Sequence, residues 1–365
     1  MNLEDAVAGI LFLGVVAYAL FGGADFGSGL WDLTAGNARR GGPLRALIDK
    51  AIGPVWEANH VWLIFVLVYL WTAFPTGFAA IMETLFVPFS LAGGGIVLRG
   101  SAFAFRKFAP DMARARIFGA LFAASSVITP FLFGTIAGAV ASGRVPADGA
   151  GDRWSSWTGP TSLVGGSLAV LTTSFLAATF LVAEADREGD RGLADGCRRR
   201  ALGAGMVTGA AALAGIVPLR DDTPELFDGL TGRALPLVVL SAVAGVIALV
   251  ALWYRRSALA RVSAGAAVAS VVAGWGVAQY PSLLVDQLEL ADAAGARTTL
   301  WALLVTFGII AVTVVPALVY LYWVTQRGPI AGPEPTAQKP DTSAPPRAWA
   351  PSPDSTSNGA ATYGR

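Results

Sequence analysis

Residues 53–62, which read GPVWEANHVW, place an acid, an amide and the only histidine of the chain within four positions at the start of an apolar run. Glu57 is the type of residue that takes up and releases a proton, and His60 lies on the neighbouring position of a helix surface. Asn59 is about 200° away from Glu57 around a helix and therefore faces another neighbour. Pro54 suits a first helical turn, so the helix N-terminus favours the Glu57 anion while burial favours the neutral acid. This balance predicts a carboxyl that exchanges protons.

A second acid, Asp25, lies inside an earlier apolar run, in the segment FGGADFGSGLW. An ionisable side chain in lipid is costly unless it is paired or faces water, so its presence indicates a function or a partner. Four glycines around it allow neighbouring helices to approach closely, namely Gly22, Gly23, Gly27 and Gly29. Asp25 is thus predicted either to carry a proton or to hold packed helices together by hydrogen bonds.

Further polar and aromatic residues accompany the two acids. Trp56 and Trp62 are typical of a membrane interface. Arg99 and Arg106 close the third predicted span and are expected to pair with carboxylates or with lipid phosphate, although the general excess of basic residues in inner loops also explains them. Glu83 is expected in the outer part of that span, as the partner of a nearby polar group.

The composition is that of a membrane protein. Hydrophobic residues make up 54% of the 365 positions and charged residues 14%, against about 25% in ordinary soluble domains. The formal net charge of +1 says little about partners, and no nucleic-acid partner is expected. The single Cys197 excludes an internal disulfide and a cysteine-based metal cluster. With one His and four Met, the chain cannot ligate several haems through His, and it contains no nucleotide-binding glycine motif.

Charge-poor segments predict about nine transmembrane helices, because each is long enough to cross about 30 Å of hydrocarbon and lipid offers no partner for an open backbone. The turn between the second and third is predicted at the Pro and Gly of residues 74–77. The first run has no basic residues before it and is expected to be a span, not a removed signal peptide. The predicted spans are 6–30, 54–74, 78–98, 117–141, 160–183, 201–219, 234–254, 262–280 and 299–324.

Basic residues orient these helices. The loops after the first, third, fifth and seventh spans carry most of the 26 Lys and Arg residues, so they are expected to be cytoplasmic. The N-terminus is then outside and the C-terminus inside. Residues 1–327 form the predicted transmembrane domain, and residues 328–365, which are rich in Pro, Ser and Ala, form a predicted disordered cytoplasmic tail.

Three segments together resemble subunit II of the cytochrome bd-type quinol oxidases. The stretch GPVWEANHVWLI is similar to the family signature, in which a Trp-acid-x-Asn-x-x-Trp pattern opens the second helix. Residues 25–29, DFGSG, resemble the end of the helix-one motif, and residues 98–106, LRGSAFAFR, resemble the motif that closes helix three. The resemblance is strong over about residues 10–110 and rests on span count and orientation beyond them.

The resemblance implies an all-α polytopic subunit of two four-helix bundles plus one peripheral helix, in a bacterial cell membrane. It implies a partner, subunit I, that carries two b-type haems and haem d, oxidises quinol and reduces oxygen to water with protons from the cytoplasm. Glu57 and Asp25 are then candidates for the proton path, while Trp56, Asn59, His60, Trp62, Arg99 and Arg106 are assigned to subunit contacts or structure. This chain is expected to bind no haem itself. A structural quinone, bound lipid and a small accessory subunit are left open.

The sequence departs from the family pattern at two positions. Many relatives have a second Asp where this chain has Gly22, which puts in doubt any proton route that needs both acids; some relatives have Asp at the position of Glu57. The sequence leaves two other functions open. A secondary transporter with an intramembrane carboxylate would be expected to show internal repeats with matched broken helices. A purely structural subunit would use its polar residues for contacts alone.

Overall fold

The computed structural model describes residues 2–107 and 112–326, almost all of them helical. The chain divides into a compact unit, Met1–Phe307, and a second unit, Gly308–Arg365, of which only the last part of the final helix is described. The predicted tail at 328–365 lies outside the described residues. The helices and strands are α1 (Leu3–Leu33), α2 (Ala38–Ala73), α3 (Pro75–Thr84), α4 (Phe86–Lys107), α5 (Met112–Ala141), α6 (Pro160–Arg187), α7 (Arg191–Asp222), α8 (Pro224–Thr231), α9 (Leu235–Trp253), α10 (Ser257–Gln279), β1 (Ser282–Leu284), β2 (Leu288–Glu289), α11 (Leu290–Ala293) and α12 (Arg297–Gln326).

Within the described ranges, eight helices are long and apolar enough to cross a membrane. The end of α2, Asn59–Ala73, and α3 form one further pair that is bent by 119° at Phe74. Counting this bent pair as one span gives nine, and the prediction of an all-α polytopic membrane protein is confirmed.

The third span differs from its prediction. It was expected at 78–98, but the long helix that follows the bend is α4, which begins at Phe86. Pro75 starts the short helix α3 instead, and Pro88 falls in the first turn of α4, where the missing N–H costs nothing. Glu83 therefore lies exposed in α3. The prediction that it lies inside the third span is wrong.

The helices pack in two groups. Helix α1 contacts α2 and α5, and α5 contacts α4; in the second group α6 contacts α7 and α10, and α9 contacts both α7 and α10. Helices α1 and α6 also pack along each other, as do α5 and α6, which joins the groups. A short antiparallel hairpin, β1–β2, follows α10 and buries Leu284 in an apolar cluster with Leu85 of the α3–α4 junction.

Candidate functional site

Two acids on α1 and two arginines on α4 share a spacing of seven residues. Asp25 pairs with Arg99, and Asp32 pairs with Arg106. Seven residues are about two helical turns, so the two pairs lie about 10 Å apart along the helices. Because the same step along both helices leads from one pair to the next, α1 and α4 must run in the same direction. We call these two pairs the acid–arginine ladder.

The Asp25–Arg99 pair is completely enclosed by protein. Asp25 is 0% exposed and Arg99 is 2% exposed. The guanidinium binds the carboxylate with both terminal nitrogens, Nη2 at 2.7 Å from Oδ1 and Nη1 at 2.8 Å from Oδ2. Nη2 also donates to the main-chain oxygen of Asp25 at 3.0 Å. This parallel two-bond geometry is the strongest form of a carboxylate–guanidinium contact.

The remaining surface of the Arg99 guanidinium is also occupied. Its Nε donates to Ser126 Oγ at 2.8 Å, and Ser126 in turn donates to the carbonyl of Phe122. The rings of Phe26 and Phe122 lie 4.9 Å and 4.8 Å from the Arg99 Cζ, close enough for cation–π attraction. Arg99 is therefore held by α1, α4 and α5 together, which fixes the positions of three helices.

The second pair lies nearer the ends of the helices and is partly solvated. Asp32 accepts a hydrogen bond from Arg106, and Arg45 Nε contacts its other oxygen at 2.7 Å. Arg45 belongs to the start of α2 and also donates to the carbonyls of Asp32 and Gly36. Asp32 thus joins α4 to the connection between α1 and α2.

Asn59 brings α2 to the buried pair. Its side chain is 1% exposed, and its Nδ2 donates to Asp25 Oδ2 at 3.3 Å. Its Oδ1 is buried and has no hydrogen-bond partner in the part of the chain that the structure describes. A Cβ atom at Gly22 would lie 2.9 Å from that Oδ1. Gly22 therefore leaves the space that the Asn59 side chain occupies.

This geometry bears on the two readings of Asp25. Both of its carboxylate oxygens accept hydrogen bonds, from Arg99 and from Asn59. A buried charge that is fully paired and hydrogen-bonded is stable as it stands, and breaking such a pair is costly. The contacts favour a structural ion pair at Asp25 over a proton carrier.

The other predicted site residues lie along α2. Glu57 and Trp56 belong to this helix, but their side chains are outside the described residues. The prediction that Pro54 opens the helix is wrong, because α2 begins at Ala38, and the helix N-terminus is therefore too far away to favour the Glu57 anion. His60 is half-buried one position beyond Asn59. Trp62 stacks on Phe21 of α1, with ring centroids 6.3 Å apart and ring planes 10° from parallel. The structure thus brings Asp25, Asn59, Arg99 and Trp62 to the α1 interface.

Sequence reasoning missed several members of the site. Asp32, Arg45 and Ser126 were not singled out as site residues, although the matching spacing of Asp25 to Asp32 and of Arg99 to Arg106 was visible in the sequence. In the described ranges, no group of three or more His, Cys, Asp or Glu side chains is arranged to hold a metal ion. The hydrogen bonds among these side chains hold the helices in place around the buried Asp25–Arg99 pair.

Together, the fold and this site define a multi-pass helical membrane protein whose interior is organised by buried, paired charges. The family model for cytochrome bd terminal oxidase subunit II matches residues 3–325. The chain therefore belongs to the family of cytochrome bd terminal oxidase subunit II.

Two relatives support this assignment. The chain is 27% identical over 135 residues to the cytochrome bd ubiquinol oxidase subunit 2 of Bacillus subtilis (strain 168), and this alignment covers 37% of the chain and 38% of that protein. The aligned part is thus well under half of either chain. The structure of the bd oxidase from Geobacillus thermodenitrificans is similar over 90% of this chain and 100% of the solved chain, with a TM-score of 0.75 and 25% identity.

Proposed function

We propose that this chain is the second subunit of a membrane-bound quinol:oxygen oxidoreductase. It would support a haem-bearing subunit I that oxidises quinol and reduces oxygen to water in aerobic respiration. Family membership over residues 3–325 is the observation that carries this proposal. The redox centres, two b-type haems and haem d, are assigned to the partner, since this chain offers a single His among its 365 residues.

The proposal gives Glu57 and Asp25 different roles. Glu57 is the proton-exchanging acid on the path from the cytoplasm, because it precedes by two residues Asn59, which contacts the buried Asp25. Asp25 is a positioning residue, which holds Arg99 and Asn59 so that α2 keeps its place against α1. A proton that enters from inside while quinol releases one outside separates charge, which stores about 2.3 kcal/mol per 100 mV.

The experiment compares Glu57→Gln with wild type in the purified complex, using quinol-driven oxygen uptake across pH. Glutamine keeps the size of the side chain and removes its proton, so we expect turnover to fall at least tenfold while the haem spectrum is retained. Glu83→Gln is the matched control, because this acid is exposed in α3, and it should leave turnover unchanged. Normal turnover in Glu57→Gln would refute the proton role while leaving the subunit assignment intact.

A purely structural subunit is the second candidate, and the enclosed Asp25–Arg99 pair is the observation that favours it. It predicts that Asn59→Leu reduces haem content or assembly while Glu57→Gln retains full turnover. The proposed transporter has no comparable support, because the chain belongs to the oxidase subunit family.

A further inference from the structure

A cavity of about 320 Å³ lies at one end of the second helix group, far along the sequence from the acid–arginine ladder. It opens between the junction of α6 with α7 and the junction of α9 with α10. Three arginines, two aspartates and one serine line it, namely Arg191, Arg198, Arg255, Asp186, Asp195 and Ser257. Its volume exceeds what a single water needs, and the rest of its lining is apolar, namely Val182, Ala194 and Leu252.

One carboxylate holds two of the arginines in place. Asp195 Oδ1 lies 2.9 Å from Arg255 Nη1 and 3.4 Å from Arg198 Nη2. Two guanidiniums share a single anion, so the cluster keeps a positive charge. Arg198 Nε is buried and has no hydrogen-bond partner among the described residues. Its donor capacity is therefore not satisfied by the protein alone.

The start of α10 adds to the positive potential. Ser257 is the first residue of this helix of 23 residues, and the preceding Arg256 supplies no side-chain cap. The first N–H groups of a helix lack intrahelical partners and carry a partial positive charge, which attracts anions. The Ser257 hydroxyl supplies a further donor at the same place.

The position of the cavity indicates which anion reaches it. Trp253 and Tyr254 at the end of α9 are 70% and 71% exposed, as expected for aromatic residues at the level of lipid headgroups. On the same helix Val246 and Val250 are also exposed, and with Trp253 they form a stripe spaced by four and three residues. This apolar stripe lies on the helix whose end lines the cavity, and it offers a surface for acyl chains.

We propose that this cavity binds the headgroup phosphate of an anionic phospholipid, with Arg191, Arg198, Arg255 and Ser257 as donors. The three arginines exceed the two aspartates by one charge, before the helix end is counted. Guanidinium groups bind phosphate through parallel hydrogen bonds, which makes them suitable donors for this ligand. The acyl chains lie along Val246, Val250 and Trp253. The lipid then links the two helix junctions that line the cavity.

The test measures thermal unfolding of the purified complex in detergent as lipid is added. Phosphatidylglycerol should raise the unfolding midpoint of the wild type, and phosphatidylcholine should raise it much less. Arg191→Gln should weaken phosphatidylglycerol binding about tenfold, which equals about 1.4 kcal/mol. Arg191 suits this test because it takes part in neither of the ion pairs of Asp195.

Two comparisons make the outcome decisive. Arg153→Gln removes an exposed arginine from the loop between α5 and α6 and should keep the full response to phosphatidylglycerol. Adding inorganic phosphate alone, at millimolar concentration, tests whether the bound anion is a lipid headgroup or free phosphate. A full shift with inorganic phosphate and none beyond it with lipid would overturn the lipid assignment. An equal response of Arg191→Gln and wild type would overturn the site itself.

Discussion

The Asp25–Arg99 pair is the most buried charged contact that the structure describes. Transferring two ions out of water costs several kcal/mol, and here the two-bond geometry, Ser126, Asn59 and two aromatic rings offset that cost. Such a pair adds little net stability over an apolar replacement, but its hydrogen bonds tie Arg99 of α4 to α1 and α5 in this arrangement.

Removing one member of this pair should be far more harmful than removing one member of the outer pair. Arg99→Met leaves the Asp25 carboxylate buried without its partner, at a cost of about 3–5 kcal/mol. Arg106→Met is the matched control, since Arg106 is 18% exposed and Asp32 keeps Arg45. Thermal unfolding of the purified complex measures both.

The double variant Asp25→Asn, Arg99→Met provides a second check. Because it removes both charges, it should recover part of the stability lost in Arg99→Met. If Arg99→Met is no less stable than Arg106→Met, the buried pair does not have the structural role assigned to it.

Among the elements, α1 and α6 pack so closely that one position accepts only glycine. A Cβ atom at Gly27 would lie 1.9 Å from the Thr173 carbonyl oxygen and 2.8 Å from the Ala177 Cβ. The obstacle is main chain, which cannot rotate away. Gly27 therefore allows close contact between α1 and α6, and it lies in the same turn of α1 as Asp25.

Gly27→Ala should accordingly separate α1 from α6 and destabilise the protein by at least about 2 kcal/mol, the range of overpacked interiors. Gly9→Ala on the same helix has no atom within 4 Å of the added Cβ. Since alanine is the better helix former, this control should be neutral or stabilising by up to about 1 kcal/mol. Unfolding midpoints measured in one detergent compare the two, and equal losses would contradict close α1–α6 packing.

The short helix α8 is linked to the hairpin turn by two carboxyl groups. A hydrogen bond between Glu225 and Asp286, together with burial and charge repulsion, raises the pKa of Glu225 above its ordinary 4.5. The contact is therefore fully present below that value and is lost as the pH rises through the raised pKa.

Hydrogen exchange of residues 284–288, corrected for intrinsic rates, should accordingly be slower near pH 4 than near pH 7. Glu225→Gln keeps a hydrogen-bond donor without a titrating proton, so its corrected exchange should not change with pH. A wild-type profile as flat as that of Glu225→Gln would mean that the shared proton does not hold the turn.

Elements also show where the sequence was informative. The long apolar helices were predictable because each has a charge-poor run that lipid requires. Helix α3 and the hairpin were not, since ten and five residues are too few for a reliable periodic signal. At the site, the sequence left Arg99 with a carboxylate or a lipid phosphate as its expected partner. Its pairing with Asp25 depends on how α4 packs, which no local pattern reveals.

At the scale of the whole molecule, the loop charges give an orientation that we retain as a proposal. The basic residues cluster in loops after odd-numbered spans, which places the start of α2 inside and the loop between α5 and α6 outside. The parallel direction of α1 and α4 in the acid–arginine ladder agrees with their being the first and third spans.

Single cysteines test this orientation in intact cells. In a Cys197→Ala background, Ala150→Cys should react with a membrane-impermeant maleimide, while Ala46→Cys should react only after the cells are opened. Both alanines are exposed in the structure, and the native Cys197 is buried. The reverse pattern would invert the topology.

One difference spectrum of the purified complex tests whether this chain is the second subunit of a haem-containing oxidase. In this experiment, an affinity-tagged chain is purified from membranes together with its co-eluting partner. A reduced-minus-oxidised spectrum of the complex is then recorded. We expect b-type haem and haem d absorption from the complex, and none from the tagged chain once it is separated from its partner. A chain that purifies without any haem-bearing partner, or that retains haem on its own, would contradict this subunit assignment.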